Sequence, residues 1–394
     1  MDPYVTEWLN LIVRWIHLIV GIAWIGASFY FNWLEGHLEK KAGLSEGVAG
    51  ELWAVHGGGF YHVQKYAVAP AQLPETLHWF KWEAYWTWIS GITLLCIVYY
   101  LSPGVYLIDK SVADIPGWAG ILIGLGFIAG GWFAYDRLAK SPLVDKPGLF
   151  LLVMLLGMTI VALILTQIFN PRAAYIHVGA MLGTMMAGNV FFGIMPSQRY
   201  LVGALSRGEA PDPEVGKRGF QRSLHNNYFT LPVLFIMISN HYPATFGHAA
   251  NWLILAALAA ISIGVRHYFN LRNRGRDMRW ILPLAALAMF SLAWVSAPAK
   301  VELDSSAEPV STAQAHGIIV QRCTTCHSAS PTDAAFKTAP NGVMFDTEDQ
   351  IISNAPGIYA RAVATESMPL GNLTGMTTEE RSLLGQWYQT LGQH

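Results

Sequence analysis

A Cys-x-x-Cys-His motif stands at Cys323-Thr324-Thr325-Cys326-His327. Two thiols at this spacing, followed at once by an imidazole, suit covalent attachment to the vinyl groups of a haem, with His327 held against the iron. The competing use of such a pair, in zinc binding or dithiol exchange, is poorly served. No second cysteine pair completes a tetrahedral site, and a histidine directly after the second thiol is superfluous to dithiol chemistry. A sixth ligand is expected some tens of residues on, in the loop before the last helix. Met368, in Glu366-Ser367-Met368-Pro369, fits better than Met344, which comes early, or Met376, which falls at the cap of the terminal helix. A thioether there raises the potential and makes a good electron acceptor.

Two more histidines lie in strongly apolar stretches. Arg14, His17, Gly21, Trp24 and Ser28 recur at three- and four-residue intervals, as do His177, Met181, Thr184, Gly188 and Phe191, so each set shares one helix face. Ionisable groups inside a bilayer are costly and count as functional candidates. The small residues leave room for a planar macrocycle, and His17 with His177 is the pair expected to clamp a haem b, with His241 as substitute. The competing readings are a hydrogen-bonded packing role for either histidine, and an Arg14 that reaches the outer surface or neutralises a haem propionate. A third group gathers elsewhere: His56-Gly-Gly-Gly-Phe60-Tyr61-His62, Lys65, His78, Gln198, Arg199, Arg222, His225, Asn226, Asn227, Thr230 and His267. Glycines that let a ligand reach backbone N–H groups, with amides and cations, suit a planar, polar, anionic molecule. Helix capping and headgroup contact are the alternatives for any one of them.

The elements that must position these groups are mostly membrane helices. Of the 394 residues 53% are apolar and only 13% charged, and 84–108, 115–135, 173–198, 223–265 and 280–299 contain no Asp, Glu, Lys or Arg. A formal net charge of −1 excludes a generally basic nucleic-acid binder. Eight stretches approach the roughly 20 apolar residues a bilayer requires: 8–34, 83–101, 117–136, 148–170, 173–195, 224–240, 249–269 and 280–297. The first opens with Asp2 and Glu7, lacks a basic start and a small-residue cleavage site, and is expected to be retained rather than removed as a signal peptide. With the N-terminus outside, the inner loops carry sixteen Lys and Arg and the outer loops between spans only Lys110 and Arg172. This one-sided distribution also places the C-terminus outside, where haem c is attached in bacteria. The fold expected is all-α: a membrane bundle over 1–297, a linker over 298–310, and a small class I cytochrome c domain over 311–394. Ser311 with Gln314, and Thr377 with Glu380, have capping-box spacing, so the last domain is expected to begin and end with helices.

The stretches RWIHLIVGIAWIGASFYFNWLE, HGGGFYHVQKY, LHWFKWEAYWTWISG, GAMLGTMMAGNVFFGIMPSQR and RSLHNNYFTLPVLFIMISNHYP, with C-T-T-C-H and S-M-P, resemble the bacterial membrane-bound urate oxidases. The resemblance covers essentially the whole chain. Around His17 and Trp24 the first span also vaguely resembles the haem-binding membrane protoporphyrinogen oxidases, which supports His17 as a ligand.

The urate oxidase resemblance implies two-electron oxidation of urate to 5-hydroxyisourate, with water as the oxygen source. Electrons would leave through one covalent haem c to a soluble cytochrome c or terminal oxidase, with no flavin, copper or molecular oxygen at the urate site. A hydrocarbon core of roughly 30 Å separates cytoplasmic urate from an outer haem, so one or more haem b groups are expected as a relay. Removing electrons from the urate monoanion is helped by a base that takes its N–H proton. His225 is the first choice, followed by His62 and His267. Asn226, Asn227 and Gln198 would match the purine edges, and Arg199 or Arg222 would hold the charge. The competing functions are a quinol:cytochrome c oxidoreductase, whose site would be more apolar and face the bilayer, and a non-enzymatic membrane-anchored electron carrier, for which one span would suffice.

Overall fold

A computed structural model describes residues 3–297 and 310–391. All but one residue of the expected linker, 298–310, lies outside the described residues. The chain is mostly helical. The long helices are α1 (Pro3–His37), α2 (Trp82–Leu95), α3 (Gly117–Ala139), α4 (Pro147–Thr166), α5 (Pro171–Gly188), α6 (Met195–Ser206), α7 (Pro213–Ser239), α8 (Asn251–Asn273) and α9 (Ile281–Val295). Wider π-turns prolong α2 over Cys96–Tyr100 and join α5 to α6 over Asn189–Ile194. Among the described residues five helices are long and apolar enough to cross a membrane: α1, α3, α4, the continuous α5–α6 rod and α8. Helix α9 is apolar but shorter, and α7 begins with a strongly polar turn capped by Asp212.

The expectation of an all-α chain needs a correction. Residues 48–66 form an antiparallel hairpin, β1 (Val48–His56) and β2 (Gly59–Tyr66), in the register Trp53↔His62 and His56↔Gly59. The glycines expected to bring backbone amides to a ligand make the turn instead. Gly57 and Gly58 have φ of 58° and 80°, as a two-residue hairpin loop between right-twisted strands requires. Alternating aromatic and β-branched residues on either side of a Gly-Gly pair are the signal for it in the sequence.

The bundle core gathers around α5, which is buried along most of its length by Tyr175, Val178, Met181, Leu182 and Met185 against α3, α4, α7 and α8. Glycines permit the close approaches: a side chain at Gly131 would collide with Met181, and one at Gly188 with Trp132. By contrast α1 leaves Trp15, Ile19 and Ile22 exposed, as a helix facing lipid does.

The C-terminal residues fold around their own core of Ile319, Phe345, Ile351, Leu384 and Trp387. Helix α10 (Thr312–Arg322) starts with the expected capping box, Ser311 with Gln314, and α12 (Thr378–Leu391) with the Thr377–Glu380 pair; a short α11 (Glu348–Ser353) lies between. Arg322 forks onto the Glu380 carboxylate and ties α10 to α12. This domain rests on two single-turn helices of the bundle, Pro103–Tyr106 and Pro243–Phe246. The Thr365 carbonyl lies so close to Gly247 that no side chain fits there.

Candidate functional site

Cys323, Cys326, His327 and Met368 all line one cavity of about 1560 Å³. The motif sits where α10 ends, so the chain turns and presents both thiols and the imidazole to the same space. The His327 Nδ1 is 3.0 Å from the Val343 carbonyl oxygen, which fixes the ring and leaves Nε2 for a metal. Opposite, the buried Arg381 guanidinium donates to the Met368 and Ala362 carbonyls and holds the Met368 loop. Burial pushes the Cys323 thiol up to about 12 and raises that of Cys326, so neither is a ready thiolate for metal or dithiol exchange. Burial lowers His327, which keeps the ring neutral and able to ligate. The donor set therefore fits a covalently attached haem. Met376 lines the same cavity but is only 3% exposed and packs in the domain core. Arg14, Arg172, Asn240 and His241 line the same cavity from the membrane domain.

The third group divides into two along α7. One face carries Arg222, His225 and Asn226 into a closed network. Arg222 donates to the Asp136 carboxylate at 2.8 Å and to Asn189 Oδ1 at 3.1 Å. Asn189 donates to Asn226 Oδ1 and to the Tyr135 hydroxyl, and Asn226 donates to the Met186 carbonyl. Tyr135 Oη shares a hydrogen bond with His225 Nδ1 at 2.8 Å, and the imidazole stacks on Phe150. The other face carries Asn227, whose Oδ1 accepts from Arg266 of α8.

The remaining expected residues are dispersed. His62 lies on the hairpin, 2.8 Å from Glu51 and stacked on Trp53. Glu51 is held below the ordinary carboxyl range by the hydrogen bonds from His62 and Gln64. His267 is exposed on α8 and shares a hydrogen bond with Tyr228. Gln198 and Arg199 are exposed on α6, outside the network.

His17 and His177 are not brought together. The His17 Nδ1 meets Ser90 Oγ at 3.0 Å, and the ring lies against Gly91. His177 is fully buried with both nitrogens engaged, Nδ1 by the Ala173 carbonyl and Nε2 by Tyr100 Oη. Their partners on α2 and its π-turn, Ser90 and Tyr100, are ten residues apart, roughly 15 Å along a helix.

Against this geometry, the family model described as urate oxidase N-terminal matches residues 3–297. The chain belongs to the urate oxidase N-terminal family. No curated protein and no solved structure matches it. The matched residues end just before the linker, so the family spans the membrane bundle with its network, and the chain is a urate oxidase-family oxidoreductase acting in a membrane.

In this urate oxidase-family bundle, Tyr135, Asp136, Asn189 and Arg266 are site-forming residues that sequence reasoning missed. A signal existed for the last: Arg266, Asn270 and Asn273 recur at helical spacing at the end of a span otherwise free of charge. Nothing in spacing pointed to Tyr135, Asp136 or Asn189, which join the network from α3 and the α5–α6 junction only after the helices assemble.

Proposed function

We propose that this chain oxidises urate at the bacterial inner membrane and hands the electrons to a haem c in its own C-terminal domain. Urate and one water give 5-hydroxyisourate, two protons and two electrons. A haem c held there would supply one-electron acceptance. Cys323 and Cys326 would tether the group, His327 and Met368 would ligate it, and the Val343 carbonyl and Arg381 would hold those ligands in place. The acceptor beyond it is a soluble cytochrome c or a terminal oxidase.

We take all eight apolar stretches as spans, with the N-terminus and the cytochrome domain outside. The loop charges support this, as does the docking of the C-terminal domain on Pro103–Tyr106 and Pro243–Phe246, both in outer loops of that topology. The observation that carries the proposal is the shared cavity. Four haem c residues and the outer end of a urate oxidase-family bundle line one continuous space.

The test is an anaerobic visible spectrum of the detergent-purified, oxidised protein before and after urate. Reduction of a c-type α-band is the expected result. No reduction by urate, with full reduction by a quinol, would overturn the substrate and favour quinol chemistry.

A further inference from the structure

At the inner end of the bundle lies a buried cation whose partners include no carboxylate. The Arg266 guanidinium is 6% exposed; it donates to Asn227 Oδ1 at 2.8 Å and to Asn32 Oδ1 at 3.4 Å, and lies 4.0 Å from the Phe29 ring centroid. A buried charge held only by amides and a ring remains uncompensated. One turn along α8, Asn270 is 4% exposed and neither its Oδ1 nor its Nδ2 has a partner; the Asn227 Nδ2 is also unpaired. Buried amides are rarely left so, because each costs on the order of 1–3 kcal/mol.

Asn270 borders a cavity of about 290 Å³ that is also lined by Asn32, Glu35, Gly36, Phe220, Asn273 and Arg274, and Arg266 is linked to it through its bond to Asn32. Its size is near the lower end of small-ligand pockets, roughly 300–1,000 Å³, and suits one bicyclic heterocycle rather than a macrocycle. The hairpin reaches its edge: Lys65 of β2 is paired with Glu35 at 2.5 Å and lies 5.9 Å from the Phe220 ring centroid. The other face of α7 offers no comparable demand, since Arg222, Asn189 and Asn226 satisfy one another.

We propose that this inner pocket is where urate binds, an inference that rests on the urate reading above, locates its substrate, and requires the haem b relay that the thickness of the membrane core demands between this pocket and the haem c. A planar monoanion carrying alternating N–H and C=O groups matches the surroundings. Asn270 and Asn273 supply donors and acceptors for its edges, Phe220 covers a face, and Arg274 supplies the opposite charge, the Glu35 carboxylate of the lining being paired with Lys65.

The test uses the full-length protein in detergent, reduced with dithionite so that bound urate cannot be oxidised, and equilibrium dialysis of radiolabelled urate. Asn270→Asp keeps the shape but sets a negative charge against the anion, and should weaken binding about tenfold or more. Phe220→Leu, at a half-exposed position the fold tolerates, should weaken it about threefold. Both should retain the wild-type c-type spectrum with ascorbate. If Asn270→Asp does not accumulate, Phe220→Leu and Arg274→Gln decide. Wild-type affinity in the variants that accumulate overturns the pocket while leaving the urate reading intact. A wild-type protein that neither binds urate nor is reduced by it overturns the functional reading and the pocket together.

Discussion

The two ends of this molecule are built on different principles. At one end, Cys323, Cys326 and His327 lie within five consecutive residues, and Met368 arrives on a loop fixed by Arg381. At the other, neighbours can do different work. Asn226 and Asn227, adjacent in sequence, enter a closed network and a contact with Arg266 on different sides of α7. Local chemistry therefore forms a site whose members a motif can name. Distributed chemistry forms one in which neighbours part company, because successive residues on a helix point about 100° apart.

The largest effect should come from the end that carries the Cys-x-x-Cys-His motif. Cys323→Ser with Cys326→Ser should abolish covalent haem, seen as loss of haem staining on denaturing gels, and with it all urate-dependent reduction of the c-type band. Urate binding to the membrane domain should survive, and its loss would show that the two ends are not separable.

Next comes the contrast between the two buried arginines. Arg266→Gln should weaken urate binding about threefold, because its charge has no carboxylate partner and it touches the pocket lining through Asn32. Arg222→Gln should instead leave Asp136 with only its exposed partner Lys140 and Asn189 Oδ1 without a donor, lowering stability by about 1–3 kcal/mol with binding little changed. Thermal melting beside equilibrium dialysis separates the two, and a reversed pattern would place the substrate on the network face.

His225→Ala sharpens the same point. Removal of a ring that stacks on Phe150 and bonds Tyr135 should cost about 2 kcal/mol of stability. Urate affinity should be unchanged. Loss of turnover at unchanged affinity would give His225 the role of base that its residue type suggested.

The smallest effect concerns the hairpin. Glu51 has a folded pKa below its unfolded value, so its pairing with His62 stabilises the hairpin fully above the unfolded pKa and is lost as pH falls through the folded one. Amide exchange of Leu52 and Val63 should therefore quicken on acidification into that range, and Glu51→Gln should flatten the dependence. Unchanged exchange would assign the hairpin's order to its Gly57-Gly58 turn and aromatic pairs.

Much of the molecule is legible in the chain itself. The charge-free stretches announce a membrane bundle, and the capping boxes at Ser311 and Thr377 the first and last helices of the small domain, because each depends on composition or on residues within one turn. The hairpin is legible too, through its Gly-Gly turn, but the residues around that turn equally suit a ligand loop. The surroundings of His17 and His177 are not legible: helical spacing states which residues share a face, not at what depth two helices meet. That depth is decided by contacts such as Trp88 with Thr184 and Tyr100 with His177.

By itself, then, the sequence determined the membrane class, the Cys-x-x-Cys-His spacing and the polar inventory, since short-range chemistry and solvent preference need only neighbours. The tertiary structure alone decided which polar groups satisfy each other and which remain unpaired. Arg222 met Asp136 across two helices, whereas Arg266 met only amides and Asn270 met nothing, and that difference arises only when helices far apart in the chain close on one another.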